Sequence, residues 1–202
     1  MQLSNCEQVK KLAQKASKAL WKEAQEACSV PKIYLHWTMK PYDELDETYD
    51  VNIDQYGEIY ISEDAFTTNK WSILHRSKGS VSIAVCCAGG ATTKDIGKYP
   101  PTYEQLDAMA KVAWIISKAL NIPMTKDYIL THGEAAAGED NGTLHGHYAA
   151  WDYDESMQEK PVFDLEYFGG NEVMNYDPNS SYRGGDALRE RMEWFKHGEV
   201  AL

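Results

Sequence analysis

Apolar positions along this chain change their period several times, and each change marks an element. Val9, Leu12, Ala16, Ala19, Leu20 and Ala27 recur near helical spacing until Val30-Pro31, which predicts an opening amphipathic helix with Ser4-Asn5-Cys6-Glu7 as its capping box. Residues 32–36 are a short apolar run and predict a buried strand. Residues 49–53 and 58–61 predict two strands joined around Gln55-Tyr56-Gly57, a three-residue hairpin loop with glycine last. Residues 80–87 predict another strand, closed by Gly89-Gly90.

A second helix follows Pro100-Pro101, with Thr102 as N-cap and Gln105 three residues on. Leu106, Met109, Ala110, Ala113, Ile116 and Leu120 mark its buried face, and Asn121-Ile122-Pro123 ends it. A strand carrying Leu130 comes next. The order strand, helix, strand predicts an α/β fold, a mixed central sheet flanked by α-helices. From Glu134 to Ser181 the chain turns to Gly, Asp, Glu, Asn and Tyr with little periodicity, a long stretch that in a compact domain is usually functional. Leu188, Met192 and Phe195 then recur at helical spacing behind Gly184-Gly185-Asp186, with Asp186 as the expected N-cap. The expected organisation is a single domain over 1–202: an N-terminal helix within 1–31, a core over 32–133, an active-site loop over 134–183 and a C-terminal helix over 184–202. No internal repeat or low-complexity tract interrupts it.

Composition narrows the classes. At 202 residues with 43% apolar content the chain is long enough for one well-buried core. Its formal charge of −11 argues against nucleic-acid or anionic-membrane partners, which need clustered Lys and Arg. The start, Met1-Gln2-Leu3-Ser4, has no basic segment followed by an apolar one, and no stretch reaches membrane-spanning length, so a protein that is cytoplasmic when synthesised is expected. The cysteines Cys6, Cys28, Cys86 and Cys87 show no Cys-x-x-Cys spacing, which indicates reduced thiols rather than a disulfide framework or a thiolate zinc knuckle.

The candidate chemistry lies at strand ends. His36 closes Ile33-Tyr34-Leu35, and His132 follows Ile129-Leu130-Thr131. A catalytic zinc needs three protein ligands on rigid elements with a fourth position left to water, and two strand-terminal imidazoles are a natural start. Either histidine alone is equally well read as a polar residue satisfied by backbone; the pair, with acidic residues downstream, points to a metal.

Several segments resemble the zinc-dependent N-acetylmuramoyl-L-alanine amidases of the type 2 amidase and peptidoglycan recognition protein superfamily, which includes phage endolysins. Ile33-Tyr34-Leu35-His36-Trp37-Thr38 is similar to the family's first ligand strand, and Tyr49-Asp50-Val51-Asn52-Ile53 with Gly57-Glu58-Ile59-Tyr60 to its tyrosine-bearing hairpin. The run from His75 through Ser82-Ile83-Ala84-Val85 resembles its segment of His, polar turn and strand, and Thr131-His132-Gly133-Glu134 its second ligand strand. Val162-Phe163-Asp164-Leu165 resembles the subgroup in which Arg-Trp-Asp-Leu supplies the third ligand. The resemblance thus implies one Zn²⁺ on His36, His132 and Asp164, with Asp152, Asp154, His145 and His147 as rival third ligands. Two positions depart from the family: Val162 stands where a basic residue helps stabilise the oxyanion, with Lys160 and His75 as substitutes, and Ala84 replaces a glycine.

The implied activity is hydrolysis of the amide between N-acetylmuramic acid and L-alanine in peptidoglycan, by a compact catalytic unit from a phage lysis cassette or a bacterial recycling system. Glu134 and Tyr49 are the candidate proton-transfer residues, since a strand continuing past His132 would put Glu134 on the same face as the metal, and His75 is the candidate oxyanion donor. Glu134 is equally well read as a capping or ligand-orienting carboxylate. Two other classes stay open. Cys86 with His132 would make a thiol hydrolase of cell-wall peptides, although thiols ending an apolar strand are ordinary core. A non-catalytic muropeptide-binding module would use Tyr148, Trp151, Tyr153, Tyr167 and Phe168, which otherwise pack beneath the loop.

Overall fold

The computed structural model describes residues 1–67, 70, 72–73, 77–92, 95–136, 164–165, 168–169, 175–176 and 184–200. In chain order the elements are β1 (Gln2–Ser4), α1 (Cys6–Glu26), β2 (Ile33–Trp37), β3 (Val51–Ile53), β4 (Ile59–Ile61), β5 (Val81–Val85), α2 (Tyr103–Leu120), β6 (Ile129–Thr131), α3 (His132–Ala136), β7 (Phe168–Gly169), β8 (Asn175–Tyr176) and α4 (Gly184–Val200). Strands β1 to β6 form one six-stranded sheet in the order β1-β4-β3-β5-β2-β6. The β1-β4 and β4-β3 pairs are antiparallel; β3-β5, β5-β2 and β2-β6 are parallel. The sheet is mixed and the class α/β, as the alternation of strand and helix requires. β7 and β8 pair antiparallel as a separate two-stranded sheet inside the long loop.

The central strands explain their own composition. β2 and β5 are buried at every position, because side chains on both faces are covered. Ile33, Leu35 and Trp37 point into the main core with Val81, Ile83, Val85 and the α2 residues Leu106, Met109, Ala113 and Ile116. Tyr34 belongs to a smaller cluster with Ile73, Leu130 and Ala135. By strict alternation His36 shares the face of Tyr34, away from α2.

Caps fix where the helices begin. In α2, Thr102 Oγ1 accepts from the Gln105 N–H while the Gln105 side chain accepts from the Thr102 N–H, the expected capping box. The same Gln105 amide donates to Ile53 O and Cys86 O, so the cap also ties the ends of β3 and β5 to the helix. Asn121 in left-handed conformation ends α2 as anticipated. In α1 the box is one residue later than Ser4 to Glu7: Asn5 caps and Gln8 reciprocates, because Ser4 is taken up by β1, a strand the periodicity misses. At Gly79, held at φ +69, a Cβ would lie 2.5 Å from Leu20 O, so only glycine lets α1 pack this closely on the turn before β5. Helix α4 starts at Gly184, so Asp186 lies inside its first turn and pairs with Arg189 instead of capping. Among the described residues, no helix is long and apolar enough to cross a membrane.

Candidate metal centre

Strand register brings the two histidines together. Leu35 of β2 pairs with Thr131 of β6 in parallel, and His36, still in β2, and His132, the first residue of α3, come next along each chain segment. Neighbouring strands lie about 4.8 Å apart. The two imidazole centroids are 4.9 Å apart, in an edge-on arrangement. Beyond that pair the strands part: β2 continues alongside β5, with His36 opposite Ala84, while the chain after Thr131 turns into α3.

Asp164 joins them from the far end of the long loop. Its Oδ2 lies 3.4 Å from Nδ1 of His36 and 3.4 Å from Nδ1 of His132. One donor atom from each of the three residues lies within 4.8 Å of the others, a spacing a single ion can bridge. Leu165 anchors the carboxylate: it is fully buried in the main core and held at φ 58, a conformation rare for leucine.

His36 is fully buried, and neither of its ring nitrogens makes a hydrogen bond. Buried polar atoms are nearly always paired, so an imidazole whose Nε2 has no partner and whose Nδ1 has only the Asp164 carboxylate at 3.4 Å, outside hydrogen-bond geometry, is the mark of a ligand position. Burial carries the His36 imidazolium down to about 4, assisted by His132 and opposed by Asp164. Burial alone would raise the Asp164 carboxyl, but the two imidazoles beside it hold it at about 2. A neutral imidazole and an ionised carboxylate are the forms a divalent cation binds. The donor set fits zinc.

Tyr49 stands against this cluster, its ring centroid 4.9 Å from that of His36. Burial, then the negative charges of Asp164 and Asp46, push its phenol well above the ordinary value, so the hydroxyl keeps its proton. Next to it, the Asp50 carboxylate is buried and accepts from the N–H groups of Phe66 (2.9 Å) and Ser82 (2.8 Å) and from the Ser82 hydroxyl (2.9 Å), which pins the segment carrying Tyr49 to β5.

Glu134 is not brought to the cluster. The strand does not continue past Thr131, so the shared face expected for residues 132 and 134 does not arise. Thr131 Oγ1 accepts from the Glu134 N–H at 3.1 Å and Glu134 Oε2 accepts from the Thr131 N–H at 3.0 Å, a capping box that starts α3 and takes the carboxylate away from His132. Both Glu134 oxygens are engaged by Arg189, Nη1 to Oε2 at 2.9 Å and Nη2 to Oε1 at 2.7 Å. Arg189 was not singled out from the sequence. Its signal was the pattern Thr-x-x-Glu at 131–134, which needs a cation once buried, and an arginine on the inward side of the last helix. Cys86 and Cys87 are fully buried, and burial, with Asp54 adding to it, pushes the Cys86 thiol up to about 12. His75, Val162, Lys160, Asp152, Asp154, His145, His147 and the loop aromatics Tyr148, Trp151, Tyr153 and Tyr167 lie outside the described residues, as does the side chain of Phe168.

No protein-family model and no curated protein matches the chain. Among solved structures it is similar to the Ph2119 endolysin from Thermus scotoductus MAT2119 bacteriophage Ph2119, at 17% identity over 60% of this chain and 82% of that chain, with a TM-score of 0.41.

Proposed function

We propose that this chain is a zinc-dependent peptidoglycan hydrolase that cleaves the amide between N-acetylmuramic acid and L-alanine, with His36, His132 and Asp164 as ligands. The observation that carries the reading is the buried His36 imidazole, its Nε2 without a partner and its Nδ1 3.4 Å from a carboxylate oxygen that lies equally close to His132. The choice of amide comes from the resemblance of the ligand segments to the type 2 amidases, because a metal site by itself does not name its substrate.

When bound, zinc lowers the pKa of a coordinated water to about 7 and polarises a carbonyl, which is the chemistry amide hydrolysis needs. The protein's own share is positional. His36 and Asp164 hold their binding forms without proton competition at neutral pH. His132 is the most exposed of the three, with 27% of its side chain accessible, so substrate approaches from its side. Tyr49, kept protonated, donates a hydrogen bond to the carbonyl oxygen as it gains charge, and His75 is proposed as a second donor on the resemblance alone. Glu134 has no part in proton transfer in this scheme, since Thr131 and Arg189 occupy both of its oxygens. The thiol-hydrolase alternative is disfavoured by the burial and raised pKa of Cys86.

The test pairs metal analysis of protein purified without added zinc with mass spectrometry of digested peptidoglycan. One zinc per chain and new amino-terminal L-alanine are expected, both lost in His36→Ala and His132→Ala. Full activity in either variant, or after exhaustive chelation, refutes the proposal. Muropeptide binding with no product would convert it to a binding module.

A further inference from the structure

The Arg189–Glu134 pair occupies a position that the site's chemistry leaves unexplained. Its guanidinium, on α4, reaches the α3 carboxylate through two hydrogen bonds, donates to the β6 carbonyl of Ile129 at 2.8 Å, and pairs with Asp186 of its own helix at 2.6 Å. Glu134 is fully buried, and Lys126 Nζ stands 3.6 Å from it. Gly185 packs on the same carboxylate so tightly that a Cβ there would lie 2.3 Å from Oε2. These bonds flank the backbone of His132, whose side chain stays 27% exposed. His132 is the first residue after Thr131 inside the box that Thr131 and Glu134 close, and Ile129, the other end of the Arg189 fork, lies three residues before it.

We infer that Arg189 and Glu134 are positioning residues for the second metal ligand: the ion pair locks the 131–134 capping box, and the box sets the direction in which the His132 imidazole leaves the sheet. This inference rests on the metal reading of His36, His132 and Asp164. The ion pair sits on the backbone that carries a donor atom instead of on the donor atom itself. Partners that hydrogen-bond a metal ligand directly typically cost about 10- to 100-fold in metal affinity when lost, and that range is the effect expected for positioning through the backbone. An ion pair with a purely scaffolding role lowers folding stability and leaves the coordination geometry of protein that has folded intact.

The test uses the full chain, titrated with Zn²⁺ against a chromophoric chelator and with Co²⁺ followed by visible absorption. Glu134→Gln keeps an acceptor for the Thr131 N–H but removes the charge, and Arg189→Met removes the fork; Arg191→Met is the control, because Arg191 lies on the same helix and pairs with Asp107 of α2 instead. Circular dichroism and a metal-free melt establish that each variant folds. Expected are a 10- to 100-fold weaker Zn²⁺ affinity and an altered Co²⁺ spectrum in Glu134→Gln and Arg189→Met, roughly the loss outer partners of ligands show, with Arg191→Met unchanged in both. Wild-type affinity and spectrum in folded Glu134→Gln overturn the inference while leaving the metal site standing, as does an equal change in Arg191→Met. Absence of metal binding in the wild type overturns the underlying reading as well, and Arg189→Met is read only if it folds, Glu134→Gln deciding otherwise.

Discussion

At the scale of single residues, the proposed scheme separates the site into groups that hold and a group that donates. His36 and Asp164 are set by their surroundings in the protonation states a cation needs, and Tyr49 in the state a hydrogen-bond donor needs. Tyr49→Phe therefore keeps the ring against His36 and removes only the hydroxyl. The expected result is a fall in kcat of about 100-fold, at the lower end of what one hydrogen-bond donor to a developing oxyanion contributes, with metal content unchanged. Steady-state kinetics on purified peptidoglycan beside metal analysis of the same preparation checks it. An unaltered kcat would remove Tyr49 from the reaction.

At the scale of elements, the decisive event is the end of β6. Thr131 is both the last residue of a strand and the N-cap of α3, so His132 emerges at a junction where the direction of the backbone changes. Helix α4 is seated on that junction through Gly185. Glu134 is held by three hydrogen bonds and cannot move aside for a methyl group at 185. Gly185→Ala should therefore destabilise the fold by about 1–3 kcal/mol, the usual cost of overpacking, even though alanine normally favours a helix over glycine. Urea unfolding at constant slope measures it, and a stabilised variant would show that α4 docks with slack. The histidines were legible in sequence because each ends a run whose apolar character predicts a buried strand. Asp164 was legible only through the segment it resembles, since no periodicity surrounds it. The misplacement of Glu134 has a local cause: Thr-x-x-Glu is a helix start, and reading the strand onward through it reverses which way the carboxylate points. β1 went unseen because three residues with two exposed side chains carry no alternation to detect.

At the scale of the whole molecule, buried ionisable groups make the metal-free fold respond to pH in opposing ways. Burial raises the Asp50 carboxyl to about 6, against the hydrogen bonds from Phe66 and Ser82. The folded state therefore holds this proton more tightly than the unfolded chain, and stability from Asp50 is lost as pH rises from about 4 to about 6. His36 acts the other way. Its folded pKa of about 4 lies below the ordinary 6.5, so the folded state binds fewer protons between those values and gains stability as pH rises through them. The two contributions offset one another over their shared interval. Asp50→Asn should unmask the histidine, giving metal-free protein whose stability climbs more steeply with pH between 4 and 6 than the parent's. Denaturant titrations across that interval test it, and parallel slopes for the two proteins would refute it.

The pairing of Leu35 with Thr131 carries a consequence for how such a centre tolerates change. Both donors lie one peptide beyond the same rung, His36 still within β2 and His132 at the start of α3, so their separation is set by adjacent strands and not by the length of chain that connects them. Insertions confined to the loops between them should therefore leave the pair intact. Removal of one residue within β2 before His36 would instead turn that imidazole to the face that packs on α2, away from Asp164.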